Sequence, residues 1–231
     1  MQIKSKFIAV EGLDGAGKST QLALLTNYFN ARGIETRFVH FPRSQDGGVF
    51  GDLIAKFLRG EFGDVKQVHP QLVALLFAED RKAFAKTINE WQAAGHVVLV
   101  DRYVLSNIAF QCAKLKAEAE KEELRQWINM FEYEHNNIPR PDLSFYLDVP
   151  FAFTERALTE RRSGEERKYL NGKDDIHEKD FSLQLAVKHV YEVLADTDDT
   201  ITKITCYNSD DQMKSVADIH AAIISCIERI L

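Results

Sequence analysis

Short apolar segments rich in β-branched residues recur along the chain, separated by longer stretches of mixed polarity. Each apolar segment is four to seven residues long and is bounded by polar or turn-forming residues. Segments of this length and composition predict β-strands. The predicted strands are 7–10, 36–41, 97–100, 143–149 and 200–205.

The stretches between these strands repeat their apolar positions with a helical period. Strands that alternate with helices favour βαβ units and a parallel sheet. A continuous apolar strand such as 97–100 suits a sheet that is covered on both faces. The pattern therefore predicts a three-layer α/β fold with a five-stranded parallel sheet. The predicted helices are 18–32, 51–58, 70–94, 105–134, 151–161, 181–195 and 211–231.

One segment departs from this alternation. Residues 161–179 are almost wholly charged or polar and have little apolar periodicity. Such a stretch is either a solvated surface loop or a mobile lid over a site. The chain of 231 residues has no repeat and no Gly/Ser linker, so we predict one domain over 1–231 with this lid.

The amino-acid composition and net charge exclude some classes of function. Hydrophobic residues make up 45% and charged residues 28%, as in globular proteins. The net charge of −6 argues against a nucleic-acid-binding surface. No apolar run is long enough to span a membrane, and the N-terminal segment does not have the features of a secretory signal. We therefore predict a cytoplasmic protein without nucleic-acid or membrane partners.

The strongest motif begins directly after the first predicted strand and matches G-x-x-x-x-G-K-[ST]. Its glycines let backbone N–H groups approach phosphate oxygens without a Cβ in the way. Lys18 would face the β- and γ-phosphates, and the Ser19 hydroxyl could bind Mg²⁺. By itself the motif predicts only a nucleoside triphosphate site. The predicted nucleotide-binding residues are Gly12, Leu13, Asp14, Gly15, Ala16, Gly17, Lys18, Ser19 and Thr20.

Asp101 and Arg102 directly follow the third predicted strand. In P-loop proteins a carboxylate at this place lies near Mg²⁺. The alternative is that Asp101 caps the next helix and Arg102 forms a surface ion pair.

Four segments, in the right order, resemble the thymidylate kinase family over about residues 5 to 195. The resemblance implies a P-loop kinase fold that transfers the γ-phosphoryl group of ATP to dTMP, with Mg²⁺ as cofactor. It also implies a homodimer that pairs through long helices, for which 105–134 is a candidate. The segments read Asp-Gly-Ala-Gly-Lys-Ser-Thr-Gln at 14–21, Phe-Pro-Arg at 41–43, Leu-Leu-Phe-Ala-Glu-Asp-Arg at 75–81, and Asp-Arg-Tyr-Val-Leu-Ser-Asn-Ile-Ala-Phe-Gln at 101–111, with Pro-Asp-Leu at 141–143.

The resemblance assigns a base pocket to two helical faces. Phe77 would stack on thymine and Arg81 would donate to its O4; because they are four residues apart, they share a face. Asn107 or Gln111 would read the N3–H, and Phe110 would exclude a 2′-hydroxyl. Without the resemblance, Phe77 would be a core residue and Arg81 a surface charge.

The resemblance also assigns residues to the acceptor's sugar and phosphate. Asp14 would lie near the 3′-hydroxyl. Phe41 and Pro42 lead to Arg43 at a strand end, where a cation suits an acceptor that already carries a phosphate.

The catalytic cations complete the predicted site. The phosphate loop has Gly15 and Ala16 rather than an arginine. By the resemblance, this implies the group of family members in which the lid supplies the catalytic basic residues. Glu178 resembles a family glutamate after the lid, and we assign it to the metal with Ser19 and Asp101. The predicted catalytic residues are Lys18, Asp101, Arg102, Arg161, Arg162 and Arg167.

Three other functions are less compatible with the sequence. A GTPase would need an Asn-Lys-x-Asp motif, which is absent. A deoxynucleoside kinase would need a general-base carboxylate near the end of the second strand, where this chain has Phe-Pro-Arg. A nucleotide-binding regulator without catalysis would have no use for a second, base-shaped pocket.

Overall fold

The computed structural model describes residues 6–43, 46–65, 67–159, 170 and 175–229. Its strands form a five-stranded parallel sheet in the order β2-β3-β1-β4-β5, so the predicted sheet is confirmed. The strands are β1 (Phe7–Glu11), β2 (Thr36–His40), β3 (Val97–Asp101), β4 (Leu143–Asp148) and β5 (Ile201–Thr205).

Helices connect the strands and cover both faces of the sheet. A six-residue π-helix, Met130–His135, continues directly from the fifth α-helix. The α-helices are α1 (Lys18–Asn30), α2 (Gly48–Leu58), α3 (Pro70–Ala93), α4 (Val104–Cys112), α5 (Glu118–Asn129), α6 (Phe151–Thr159), α7 (Ile176–Lys179), α8 (Phe181–Thr197) and α9 (Val216–Glu228).

The hydrophobic core has two layers because side chains alternate across each strand. On β1, Phe7 and Ala9 join the layer that includes residues of α2, α3, α4, α5 and α8. Ile8 and Val10 join the opposite layer, which includes residues of α1 and α9. All five residues of β1 are buried, which explains why the first four, Phe7–Val10, form a continuous apolar run before Glu11.

The prediction of one helix over 105–134 is wrong. The chain leaves the helix after Cys112, and a new helix begins at Glu118. The reason is that α5 packs against α4, which two halves of one straight helix cannot do. α4 is buried almost all round, whereas α5 buries only Leu124 and Ile128.

The other helix boundaries shift less. The helix predicted over 211–231 begins at Val216, where the Ser215 hydroxyl accepts a hydrogen bond from the Asp218 N–H at 3.1 Å. This is an ordinary N-cap. The final residues of the helices predicted over 151–161 and 211–231 lie outside the described part of the chain.

Three strands end together at one edge of the sheet and position the site. His40 and Val10 are in register with Asp101 on the strand between them, and Glu11 follows Val10. Ligands of open α/β sheets bind outside this carboxyl edge. Within the described ranges, none of the helices combines the length and hydropathy that crossing a bilayer requires.

Candidate active site

A cavity of about 530 Å³ opens at the carboxyl edge of the sheet. It is bounded by the phosphate loop, the ends of β2 and β3, and the facing sides of α3 and α4. Most of the predicted site residues lie in its wall. Those residues are Asp14, Gly15, Gly17, Lys18, Ser19, Thr20, Phe41, Pro42, Phe77, Arg81, Asp101, Arg102, Asn107, Phe110, Gln111 and Glu178.

The phosphate loop has the backbone conformation that its sequence predicts. Gly12 and Gly17 have φ values of 144° and 87°, which an L side chain rarely adopts. A Cβ on Gly12 would also lie 3.1 Å from the Leu147 carbonyl oxygen. Leu13 and Ala16 do not line the cavity and are instead buried in the core. Gly12 does not line the cavity either, whereas Asp14, Gly15 and the residues from Gly17 to Thr20 do.

Lys18 begins α1 at the base of the cavity. Its ammonium donates to the Leu13 carbonyl at 2.9 Å, and only 7% of the residue is exposed. Burial, and then the positive charge of Arg102, lower its pKa to about 8, although Asp101 acts in the opposite direction. An anion in the cavity would stabilise the charged form of this group.

Arg102 lies between the loop and α4 in a strained backbone conformation, with φ of 66°. Its guanidinium donates to Asp14 Oδ1 at 2.8 Å and to Ser106 Oγ at 3.2 Å. It also lies over the Phe110 ring, 5.1 Å from the centroid. Burial alone would lower the pKa of Arg102, but Asp14 and other nearby groups raise it. The guanidinium is therefore fixed and charged at the middle of the cavity.

Asp101 supplies a carboxylate beside Lys18. Its Oδ2 lies 3.5 Å from His40 Nδ1, while its buried Oδ1 has no hydrogen-bond partner among the described residues. Burial raises the pKa of Asp101, but Lys18 and His40 outweigh this and lower it. A buried, ionised oxygen without a partner in the described ranges, in a cavity that the exposed Ser19 also lines, suits a hard cation such as Mg²⁺.

The far end of the cavity carries aromatic and hydrogen-bonding side chains. Phe77 is half-buried in its wall, and Arg81 is only 2% exposed. The alternative of Arg81 as a surface charge is therefore wrong. Arg81 donates from Nε and Nη2 to Glu132, at 2.5 and 2.6 Å. Asn107 donates to the same carboxylate at 2.9 Å.

Phe110 lines the cavity beside Arg102. His177 stacks on Phe110 at a centroid distance of 5.1 Å, and its buried Nε2 has no partner within the described ranges. Burial holds the pKa of His177 well below its usual value. Gln111 lines the cavity, but its Oε1 already accepts a hydrogen bond from Lys114 at 2.7 Å. Of the two amides, Asn107 is thus the better placed to read a base.

Comparisons with known proteins show the family of this chain. A family model described as thymidylate kinase matches residues 10–216. The chain is 34% identical over 188 residues to a thymidylate kinase of Mycobacterium tuberculosis, an alignment that spans 81% of this chain and 85% of the relative. It is 32% identical over 230 residues to a probable thymidylate kinase of Thermococcus kodakarensis, spanning 97% and 98%.

The chain belongs to the thymidylate kinase family.

A solved thymidylate kinase from Candida albicans has a TM-score of 0.71 over 98% of this chain and 92% of that one, at 22% identity. The predicted family and α/β fold class are thus confirmed. This chain is therefore a kinase of the family to which the motif at Lys18 and the segment from Asp101 pointed.

Arg43 does not line the cavity, and its predicted role at the acceptor's phosphate stays a prediction. Its guanidinium donates to Asp80 Oδ1 at 3.1 Å and lies over the Phe84 ring, and Arg43 is not part of the cavity wall. Its backbone N–H also donates to Asp80, at 2.9 Å. Asp80 therefore holds this cation at the back of the loop after β2, which leaves Arg102 as the better-placed cation for that phosphate.

Glu11 is a site residue that the sequence analysis missed. It is fully buried, and its carboxylate accepts from the Tyr103 N–H at 2.8 Å, from Ser106 Oγ at 2.5 Å and from Tyr191 at 3.2 Å. Burial raises its pKa even though these hydrogen bonds oppose the shift. These contacts fix the backbone on the C-terminal side of Arg102. The sequence feature that could have identified Glu11 is its position as a charged residue directly between an apolar run and the phosphate loop.

The lid arginines Arg161, Arg162 and Arg167 lie outside the described residues, as do most positions of the predicted lid. Their assignment stays a prediction. The segment that follows brings Glu178 to the cavity wall, as the assignment to a metal requires.

Proposed function

We propose that the protein transfers the γ-phosphoryl group of ATP to dTMP, yielding dTDP and ADP. The observation that carries this proposal is one cavity that joins a phosphate loop at Lys18 to a base-sized pocket at Phe77 and Arg81. A nucleoside triphosphate and a nucleoside monophosphate can bind there together, with their phosphates between Lys18 and Arg102. The names of the relatives support dTMP as the acceptor.

The chemistry requires alignment and charge neutralisation rather than a covalent intermediate. A phosphate oxygen of dTMP attacks the γ-phosphorus, and the bond to the β–γ bridging oxygen breaks, so that ADP leaves. Lys18 stabilises charge on the donor, and Arg102 stabilises charge on the acceptor's phosphate. Ser19 and Asp101 would hold Mg²⁺, which would neutralise further phosphate charge when bound.

The base pocket favours a pyrimidine with a C4 carbonyl beside an N3–H. Arg81 has five N–H donors, of which Glu132 accepts two, so donors remain for the thymine O4. Asn107 Oδ1 is a buried acceptor without a partner in the described ranges, which suits the thymine N3–H. Phe77, in the cavity wall, would offer a stacking face, and Phe110, in the same wall, would leave no room for a ribose 2′-hydroxyl.

Three finer assignments belong to this proposal. We infer that the protein acts in the cytoplasm, pairs as a homodimer and receives its remaining catalytic cation from Arg161, Arg162 or Arg167. Light scattering during size-exclusion chromatography tests the pairing, since a dimer doubles the chain mass of 26.4 kDa.

A coupled assay of ADP formation separates this function from its alternatives. ATP is supplied with dTMP, thymidine, dUMP, CMP or no acceptor. The proposal expects rapid turnover with dTMP. Preference for thymidine would indicate a deoxynucleoside kinase, and binding of ATP without turnover on any acceptor would indicate a regulator.

Base selectivity should be graded. The C5 methyl is the only group that dUMP lacks, and one methyl in an apolar pocket changes kcat/KM by about 10- to 200-fold. dUMP should therefore be a poor but measurable substrate. dCMP presents an amino group to Arg81 and a ring acceptor to Asn107, so it should be worse than dUMP. Equal kcat/KM for dTMP and dCMP would contradict the thymine assignment.

ATP affinity should fall as pH rises through the pKa of Lys18. That pKa is lowered to about 8, so above this pH a growing share of Lys18 is neutral before nucleotide binds. Because phosphate binds the charged form, the Kd should rise by up to about tenfold per pH unit above 8. Calorimetry between pH 7 and 9.5 measures this, with Lys18→Ala as the control that should lack the dependence. A pH-independent Kd in the wild type would count against Lys18 as the phosphate ligand.

A further inference from the structure

The least expected charged group near the base pocket is Glu132. It lies in the π-helix Met130–His135, is fully buried and does not itself line the cavity. Short π-helices are rare and are often found at functional sites. Here the π-helix places a carboxylate directly behind two side chains that do line the cavity, Arg81 and Asn107.

Stability alone is a weak explanation for this carboxylate. Burying an ion pair desolvates both charges, and well-packed apolar residues of similar volume are often at least as stable. The Arg81–Glu132 pair is nonetheless almost completely buried, at 2% and 0% side-chain exposure. The carboxylate does fix the orientation of the Arg81 guanidinium, because each of its two oxygens accepts a hydrogen bond from Arg81 in a bidentate pair.

The same carboxylate fixes which way the Asn107 amide faces. Asn107 Nδ2 has two hydrogens, and it donates to Glu132 at 2.9 Å and to the Ala74 carbonyl at 3.0 Å. A flipped amide would bring its oxygen against both of these acceptors. The amide therefore keeps Oδ1 as its unpaired atom, buried and available to the ligand. Asn107 can then accept a hydrogen bond from the ligand but cannot donate one.

We propose that Glu132 is a positioning residue that makes the base pocket specific for a pyrimidine with an N3–H donor beside a carbonyl. It acts through Arg81, whose donors it orients, and through Asn107, whose acceptor oxygen it leaves unpaired within the described ranges. The inference rests on the proposed function and adds the residue that sets its base specificity. The ligand class is a thymine- or uracil-type nucleotide, as opposed to a cytosine-type one.

Glu132→Gln tests this with minimal change in shape. The new amide must set a donor against either Arg81 or Asn107, so one of the fixed hydrogen bonds is lost. An Asn107 amide without its carboxylate can flip and donate to the cytosine N3. We expect the ratio of kcat/KM for dTMP to that for dCMP to fall at least tenfold, while kcat at saturating dTMP changes far less.

Asn136→Ala is the matched control. Asn136 follows the same π-helix and ties it to α3, accepting from Lys82 at 3.0 Å and donating to Glu79 at 3.0 Å. It does not line the cavity. Its loss should loosen the same helix–helix contact, seen as a lower Tm, and leave the dTMP to dCMP ratio unchanged.

Glu132→Asp keeps the charge opposite Arg81 and decides the matter if Glu132→Gln does not fold. Its shorter side chain cannot reach both partners, so the ratio should fall at least threefold. A folded variant, Gln or Asp, that keeps the wild-type ratio overturns the role of Glu132 and leaves the proposed function standing. A wild type that uses dCMP as well as dTMP overturns both.

Discussion

Lys18→Ala should lower kcat by about 10²–10³-fold, the usual effect of removing one group that stabilises developing charge. The ammonium lies at the base of the cavity, at the start of α1 and beside Asp101. Its own hydrogen bonds are to loop carbonyls, so truncation should leave the fold intact. Single-turnover measurement of phosphoryl transfer with saturating dTMP isolates the chemical step.

The control for this change is Lys86→Ala on the exposed side of α3. The Lys86 side chain is 87% exposed and forms only a surface pair with Glu90 at 3.8 Å. Its removal should change neither kcat nor Tm appreciably, because such pairs contribute little. Near-normal turnover by a folded Lys18→Ala protein would rule out the phosphate loop as the catalytic centre.

Arg102→Ala should lower kcat/KM for dTMP by about 10²–10³-fold. The Arg102 guanidinium is fixed between Asp14 and Phe110, and it can bind a phosphate through two parallel N–H hydrogen bonds. Its truncation removes that contact and leaves Asp14, 22% exposed, without this partner. The loss should appear mainly with dTMP as the varied substrate.

Arg102→Lys is the sharper companion variant. It keeps the positive charge but replaces a planar fork with a point charge, so it should recover only part of the lost rate. Full recovery would mean that charge alone matters at this position. If instead Arg102→Ala retained the wild-type kcat/KM for dTMP, another cation would have to bind the acceptor's phosphate.

Much of the fold follows from local patterns in the sequence. β1 and β3 are buried on both faces, so their first four residues are uninterrupted apolar runs that can be recognised without tertiary information. The phosphate loop is equally local, since its glycines and Lys18 are consecutive and serve one ligand. Features that depend on neighbouring residues in the chain were therefore predictable.

The break between α4 and α5 is not such a feature. Residues 113–117 read Ala-Lys-Leu-Lys-Ala, which includes neither Gly nor Pro and is compatible with a continuous helix. Helix propensity is overridden there by the packing of α5 on α4. A contact between elements decides this boundary, and no local signal marks it.

The parts of the site that were missed have the same origin. Glu132 follows a run of acidic residues in α5 and resembles them in the sequence, yet it alone pairs with Arg81 across 51 positions. Arg43 was placed at the acceptor's phosphate because it follows a strand, but Asp80, 37 positions away, holds it elsewhere. Long-range partners of charged groups could not be inferred from one chain.

The central claim is that the cavity transfers phosphate between two nucleotides. Phosphorus-31 NMR of ATP and dTMP with the wild-type protein and Mg²⁺ follows every product at once. The account predicts that ADP and dTDP appear in equal amounts, with little inorganic phosphate, and that both form about 10²–10³-fold more slowly with Lys18→Ala. Release of inorganic phosphate without dTDP, or no change in ATP at all, would contradict it.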